Sequence, residues 1–440
     1  MIDRRRERRW LLLILTASVA LRVAVALYYG DWVPLRQDDN SYSQLAWRLA
    51  TGHGYTFDRS WYPFTPAETP TAHWSFLYTA FVAAVYKVVG FHPLAVRLAG
   101  AVLGGVLMPW MAHRLARRLF PRQEAVPLLA AACTAVYAFF ILFAARIMTE
   151  TFFIVALMWL LERAIALAES VHAGKKIGRS TVLGLGAALG LTALFRQSIL
   201  PWGVVLFLWL LWVGREAGVL RRVAGSLGQA ALVAVLFILP FTLRNYRVYG
   251  DFLLLNSNAG YAMYAAQHPL HGTQFDEHRA MPLPEALLPI ESMTEPEWDR
   301  ALMERGIGFV TAEPGRYLLL SLSRVPDFFE FWPTDTSLLH NLGRLVSFTF
   351  FLPFMVGGLW LALRRAGAAR APRRFARTPL ALITLFLLFY SLLHIFTWAM
   401  PRYRLPVDAV AMPFAALALQ VLYLALRRRW SGRAPSGNFV

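Results

Sequence analysis

The feature that most constrains this chain is a series of apolar stretches, each roughly 15–22 residues long. A helix needs about 20 such residues to cross the hydrocarbon core of a bilayer. Charged residues make up only 16% of the chain, whereas a soluble domain is about a quarter charged. The sequence therefore predicts an all-α polytopic membrane protein. We expect ten spans, at residues 10–29, 94–113, 125–143, 151–168, 180–195, 199–213, 223–243, 345–362, 380–397 and 405–426.

Basic residues give the direction of these spans. With ten spans, 26 of the 44 Lys and Arg residues lie on one side, in the segments 1–9, 114–122, 163–179, 215–222, 364–377 and 427–433. The positive-inside rule makes that side cytoplasmic, so we expect both termini there. The formal charge of +18 then needs no nucleic-acid partner. Counting the apolar stretch Trp74–Val89 as an eleventh span would move every later basic segment outward, so we predict an outer interfacial or re-entrant helix.

Two polar segments face outward in this topology, the first outer loop at 30–93 and a large outer loop at 244–344. The large loop contains 13 of the 26 acidic residues. We expect one integral membrane domain over 1–440, ending in the C-terminal spans at 345–440. Cys133 is the only cysteine, so the outer loops have no disulfide, which fits a bacterial plasma membrane.

Acidic candidates for chemistry lie at the outer ends of spans. Asp38 and Asp39 are adjacent, and two neighbouring carboxylates raise each other's pKa, so that one can act as a base near neutral pH. The alternative is that they cap the helix that follows. Glu150 and Arg146 lie in the turn between the third and fourth spans, either as functional groups or as a helix-dipole partner and its neutralising cation.

Arginines accompany these acids. Arg196 follows a span of only about 16 residues, roughly 24 Å, and is expected below the outer surface, where it contacts an anion or extends its side chain to the headgroups. Arg402 and Arg404 lie in a turn between two prolines, and Arg244 begins the large loop. The guanidinium fork suits phosphate, either of a substrate or of membrane lipids.

Several motifs resemble those of the GT-C membrane glycosyltransferases, above all the bacterial relatives of protein O-mannosyltransferases and lipid A aminoarabinose transferases. The pattern Asp38-Asp39-x-x-Tyr42, followed by Gly52-His53-Gly54-Tyr55, is similar to their first outer loop. Further similar stretches follow in order at Met148-Thr149-Glu150-Thr151, Leu194-Phe195-Arg196-Gln197, Leu243–Gly250, Asn258-Ala259-Gly260-Tyr261, Glu313–Leu318 and Arg402–Pro406. A proline pair of the family is absent before Trp74, where this chain has Thr71-Ala72-His73.

The resemblance implies a GT-C fold and transfer of a sugar from a polyprenyl-phosphate-linked donor, with undecaprenyl phosphate as the expected carrier. The acceptor would be a hydroxyl of a lipid, glycan or protein in the cell envelope, at the outer face, and inversion at the anomeric carbon is expected. The first outer loop would be catalytic. The competing interpretations are a transporter or flippase for lipid-linked sugars and a non-catalytic assembly protein.

The resemblance also implies roles for individual residues. Asp38 would be the base, with Asp39 or Glu150 orienting the acceptor or holding a cation. No cofactor is assigned, and a divalent metal at Asp38 and Glu150 is left open. Donor-phosphate binding is expected of Arg196, Arg402, Arg404, Arg244 and His73. The acceptor and donor pocket is expected to include Tyr42, Arg146 and Tyr261.

Overall fold

The computed structural model describes residues 4–335 and 337–430, and these contain helices and loops but no β-strand. The ends of the first and last predicted basic segments, at 1–3 and 431–433, lie outside the described residues. The helices are α1 (Arg4–Tyr29), α2 (Gln37–Ala50), α3 (Phe76–Val89), α4 (Pro93–Leu119), α5 (Val126–Val136), α6 (Ala138–Ala144), α7 (Glu150–His172), α8 (Arg179–Phe195), α9 (Leu200–Glu216), α10 (Leu220–Tyr249), α11 (Ala259–Gln267), α12 (Glu295–Ala312), α13 (Pro314–Phe329), α14 (Leu338–Arg344), α15 (Phe350–Arg365), α16 (Pro372–Ala376), α17 (Pro379–Phe396) and α18 (Leu405–Trp430).

Eight helical segments in the described ranges are long and apolar enough to cross a membrane. They are α1, α4, α7, α10, α17, and the segments Gln197–Glu216, Leu338–Arg365 and Pro401–Trp430, which contain α9, α14 with α15, and α18. The bent pair α5–α6, when counted as one broken span, is a ninth. The shorter apolar helix α8 has 17 residues and packs along α7 and α10, and we count it as the tenth. The number agrees with the expected ten or so.

The third predicted span is not one straight helix. Between α5 and α6 the chain bends by 61° at Tyr137, whose φ of −66° and ψ of 112° are not helical. The Tyr137 hydroxyl donates a hydrogen bond of 2.6 Å to the Asp408 carboxylate in α18. No proline or glycine marks the bend, so it depends on a contact that the local sequence does not contain.

The apolar stretch that we predicted not to cross forms α3, whose 14 residues extend about 21 Å. That length is shorter than the hydrocarbon core of about 30 Å. Helix α3 packs against α2, where the Ser43 and Tyr86 hydroxyls share a hydrogen bond of 2.5 Å and the ring of Tyr42 meets Tyr78 edge-on. The two short helices thus form a layer at one end of the bundle.

Helix α7 lies at the centre of the bundle, and 78% of its most apolar window is buried. Helix α4 approaches its first turn closely because of Gly104, where a Cβ would lie 2.7 Å from the Thr151 side chain. The same Cβ would lie 3.0 Å from Ala144 in α6. This packing fixes the position at which α7 begins.

A buried carboxylate connects the two outer loops. Glu295 is 5% exposed at the start of α12 and accepts hydrogen bonds from the Thr65 hydroxyl at 2.7 Å and the Ala72 backbone N–H at 2.7 Å. It also accepts a bond of 2.8 Å from the Ser257 hydroxyl. Hydrogen bonds to a charged acceptor are among the stronger ones, so Glu295 holds the large loop against the first outer loop.

Candidate active site

Asp38 and Asp39 lie in the first turn of α2, and each has its own arginine. Asp38 Oδ2 is 2.5 Å from Arg402 Nη1, and Asp39 Oδ2 is 3.1 Å from Arg146 Nε. The helix is capped by Arg36 without a side-chain hydrogen bond, so the structure does not support the capping alternative for either acid.

The residue before these acids, Gln37, has a φ of 50°. Such a conformation is unfavourable for a residue with a Cβ, and strain of this kind is concentrated at functional sites.

Glu150 is the first residue of α7 and is 1% exposed. Its Oε1 atom lies 2.6 Å from Arg196 Nη2 and 4.0 Å from Arg402 Nη1. In the described part of the chain, neither oxygen accepts a hydrogen bond of good geometry. Glu150 therefore has unused acceptor capacity between two cations.

Two arginines complete this arrangement around an aromatic ring. The guanidinium carbons of Arg196 and Arg402 lie 5.5 Å and 5.3 Å from the ring centroid of Tyr403, within the range of cation–π attraction. Arg196 Nε also donates a hydrogen bond of 3.0 Å to the Thr149 hydroxyl. We call Asp38, Glu150, Arg196 and Arg402 the acid–arginine cluster.

The pKa values of the two aspartates are shifted in opposite directions. Burial by itself raises the pKa of Asp38, but the charge and hydrogen bond of Arg402, with the charges of Arg196 and Arg146, hold that pKa below its ordinary value. Burial raises the pKa of Asp39 to about 6, against the opposing effect of Arg146. We expected each aspartate to raise the pKa of the other, but only the pKa of Asp39 is raised. At Asp39 the charge of Asp38 is a smaller cause than burial.

Three of the predicted phosphate-binding residues lie outside the acid–arginine cluster. Arg404 is fully buried. It donates hydrogen bonds to the Asp408 carboxylate at 3.2 Å and to the Phe328 carbonyl at 2.7 Å. Arg244 donates to the Thr71 carbonyl at 2.8 Å, and the His73 ring lies 3.3 Å from the Ser257 carbonyl. Their contacts in this structure join segments of the protein to one another.

The predicted pocket tyrosines lie in helices of the first outer loop and of the large outer loop. Tyr42 is buried, and its ring centroid is 5.4 Å from that of Trp74. Tyr261 in α11 accepts a hydrogen bond from the Tyr62 hydroxyl, with the two ring centroids 5.3 Å apart. Both tyrosines therefore connect segments of the two outer loops.

A cleft of about 530 Å³ adjoins the acid–arginine cluster. Arg402 lines it, together with residues that sequence reasoning missed, among them Phe143, Glu277, Glu330 and Arg344. Because Arg402 also contacts Asp38, a molecule in this cleft would lie beside the first turn of α2. The arrangement can thus present a carboxylate base and two cations to a reactant.

The sequence left open a divalent metal at Asp38 and Glu150. Within residues 4–335 and 337–430, no group of three or more His, Cys, Asp or Glu side chains could hold a metal ion. Asp38 and Glu150 both contact Arg402, so each carboxylate already has a cationic neighbour.

Part of the chain matches a known protein family. Residues 73–243 match the family model of the dolichyl-phosphate-mannose-protein mannosyltransferases. No curated protein sequence matches the chain.

Solved structures of membrane glycosyltransferases match almost the whole chain. The oligosaccharyltransferase AglB from Archaeoglobus fulgidus, in complex with an inhibitory peptide and a dolichol-phosphate, is similar with a TM-score of 0.59 at 16% identity, over 99% of this chain and 53% of its own. ArnT from Cupriavidus metallidurans, bound to undecaprenyl phosphate, is similar with a TM-score of 0.52 at 14% identity, over 96% of this chain and 64% of its own. This chain thus spans about half the length of AglB.

The chain has the GT-C fold of membrane glycosyltransferases. The resemblance expected from the motifs and the all-α fold class are both confirmed. The matched family region includes α7, which begins at Glu150, and α8 with Arg196 directly after it.

Proposed function

We propose that this protein is a membrane glycosyltransferase that transfers a sugar from a polyprenyl-phosphate-linked donor to an acceptor hydroxyl. Three observations support the proposal: the GT-C fold, the mannosyltransferase family match, and lipid phosphates in the solved structures of AglB and ArnT. A fourth observation, on which it depends most, is the Asp38–Arg402 pair, in which a carboxylate lies 2.5 Å from a guanidinium group that suits phosphate.

Asp38 is the proposed base. The cationic neighbours that lower its pKa keep it ionised at neutral pH, so it can accept the proton of the acceptor hydroxyl. The acceptor oxygen then forms a bond to the anomeric carbon, while the bond from that carbon to the phosphate oxygen breaks. The lipid phosphate leaves with the bonding electrons. A single displacement of this kind inverts the anomeric centre and needs no covalent intermediate.

Arg196 and Arg402 are proposed to stabilise the leaving phosphate. Arg402 donates a hydrogen bond to Asp38 in this structure. A phosphate that binds would accept from the same guanidinium in place of Asp38, which leaves the carboxylate free to contact the acceptor. Arg196 remains held by Glu150 and Thr149, which fixes the direction of its fork. Donors that are already oriented stabilise developing charge without reorganisation.

We propose that the reaction takes place at the outer face of a bacterial plasma membrane, with both termini in the cytoplasm. Support comes from the six basic segments, which contain 26 of the 44 Lys and Arg residues. In the predicted topology these segments lie on the cytoplasmic side, opposite the two outer loops. The proposed sugar is a hexose or pentose, and the proposed acceptors are lipids, glycans or proteins of the envelope.

The experiment is sugar transfer by purified protein in lipid, with Asp38→Asn compared with Asp39→Asn. Asp38→Asn should reduce turnover at saturating donor by about 10²–10⁴-fold, the usual contribution of a positioned base. Asp39→Asn should reduce it less, because Asp39 contacts Arg146 and not Arg402. The matched control is Asp58→Asn, which changes an exposed aspartate of the same loop and should be neutral.

The reverse order of effects would contradict the assignment of the base. Near-normal turnover of Asp38→Asn with loss in Asp39→Asn would move the base to Asp39. If wild-type protein moves a lipid-linked sugar across the vesicle membrane but transfers no sugar to an acceptor, the transport interpretation is favoured instead.

A further inference from the structure

A second cleft, of about 480 Å³, opens at the other end of the bundle from the acid–arginine cluster. Helix α7 relates the two places, because Glu150 lies at its first residue and Glu169 lines the second cleft. Nineteen residues of helix extend about 28 Å, which is close to the thickness of the hydrocarbon core. The second cleft therefore lies at the opposite membrane face.

The second cleft has an apolar wall and a basic rim. Leu119, Phe120, Leu380 and Leu417 belong to the wall, and Arg118, Arg122 and Arg365 belong to the rim. These side chains come from α4 and the turn after it, from the end of α15, from the start of α17 and from the middle of α18. Five spans, including α7, thus meet at one partly open site.

The three rim arginines differ in what they bind. Arg118 is held by acids of α7, with Nε 2.7 Å from Glu162 and Nη1 2.5 Å from Glu169. Arg122 and Arg365 are exposed, and across residues 4–335 and 337–430 neither side chain makes a hydrogen bond or an ion pair. Two guanidinium groups at the mouth of an apolar cleft are therefore available to an anion.

The start of α17 adds to the same rim. Thr378 caps this 18-residue helix by accepting a hydrogen bond of 3.3 Å from the Ala381 N–H, and Thr378, Pro379 and Leu380 line the second cleft. A helix N-terminus carries partial positive charge and favours anions. Its charge has the same sign as that of Arg122 and Arg365.

We propose that the second cleft binds the phosphate headgroup of an anionic phospholipid from the cytoplasmic leaflet. The phosphate would lie between Arg122 and Arg365, and the glycerol and upper acyl chains would cover Leu380 and Leu417. The apolar wall favours a lipid over a free phosphate ion, which would leave that wall exposed to water. Basic sites between spans on the cytoplasmic side suit such headgroups.

This site is separate from the proposed glycosyl transfer, since no residue of the acid–arginine cluster lines it. A bound lipid would contact α4, α15, α17 and α18 together. We therefore expect the lipid to stabilise the packing of these spans against α7.

The test uses full-length protein in phosphatidylcholine nanodiscs that contain a small fraction of phosphatidylglycerol. Native mass spectrometry counts the phosphatidylglycerol retained by wild type, by the double variant Arg122→Ala/Arg365→Ala, and by the matched control Arg373→Ala/Arg374→Ala. The control removes the same charge from exposed residues of α16, outside the second cleft. Retention should fall about tenfold or more in the first variant and change little in the control.

Further arms distinguish the remaining outcomes. Ala366→Trp fills the second cleft from an exposed position and keeps both arginines, so it should also lower retention. Equal losses in the two double variants would show general surface attraction and would overturn the proposal. Displacement of the lipid by millimolar inorganic phosphate, or full retention in Ala366→Trp, would overturn the assignment to a phospholipid.

Discussion

Replacing Glu150 by Gln tests whether the acid–arginine cluster is held together by a buried charge. The substitution keeps the size of the side chain and removes a carboxylate that is 1% exposed and lies 2.6 Å from Arg196. Loss of one partner from a buried ion pair costs about 3–5 kcal/mol, since the other charge stays buried. We expect the lower end, about 3 kcal/mol, because Gln keeps a carbonyl dipole beside the Arg196 guanidinium.

Thermal unfolding can be followed through the protein's own thiol. Cys133 is the only cysteine and is 6% exposed in α5, so a thiol-reactive fluorogenic dye labels it only when the bundle opens. For 440 residues, an unfolding entropy of about 2 cal/mol/K per residue converts 3 kcal/mol into a fall of about 3 °C in Tm. The control Glu313→Gln removes an exposed carboxylate and should leave Tm unchanged.

The refuting result is an unfolding temperature of Glu150→Gln equal to that of the control. Arg196 would then not depend on Glu150, and its orientation would have to come from Thr149 and Tyr403 alone. A fall of Tm in both variants would show that the dye reports general loss of acidic charge, and the argument from the buried pair would fail.

Three further predictions concern the donor, the topology and pH. Arg402→Ala should weaken donor use about tenfold or more by removing charge-assisted bonds, and Arg402→Lys should recover part of it; wild-type donor affinity in Arg402→Ala would contradict phosphate binding. Cysteines introduced as Phe120→Cys or Arg370→Cys should resist an impermeant reagent in intact cells, and labelling from outside would reverse the proposed orientation. Burial raises the pKa of Asp39 to about 6, so its contribution to stability is present below about pH 4 and is lost as pH rises through 6. Asp39→Asn should therefore flatten Tm between pH 4 and 7, and an unchanged slope would contradict the shift.

The sequence predicted the fold class because each span is a local pattern. It also indicated Asp38, Glu150, Arg196 and Arg402 one by one, since charges at the ends of apolar stretches stand out. The structure brings these four together, although they lie up to 364 positions apart. Their catalytic roles stay predictions.

Other features depend on contacts between distant segments, and the sequence could not reveal them. Arg404 looked equivalent to Arg402 in the same turn, yet it pairs with Asp408 one helical turn later. Tyr137, at the bend between α5 and α6, donates its hydroxyl hydrogen bond to that same Asp408. Glu295 resembled any other acid of the large loop until its partners in the first outer loop were known.

The shortness of α8 has a consequence for the surrounding lipid. Its 17 residues extend about 25 Å, and one side of the helix faces outward at Leu183, which is 50% exposed. A hydrophobic mismatch of about 5 Å can be relieved by local thinning of the bilayer, at a cost of fractions of a kcal/mol per Å. Arg196 follows α8 directly, so we expect this thinning beside the acid–arginine cluster. A lipid-linked phosphate bound there, as we propose, would lie deeper than the headgroups of the rest of its leaflet.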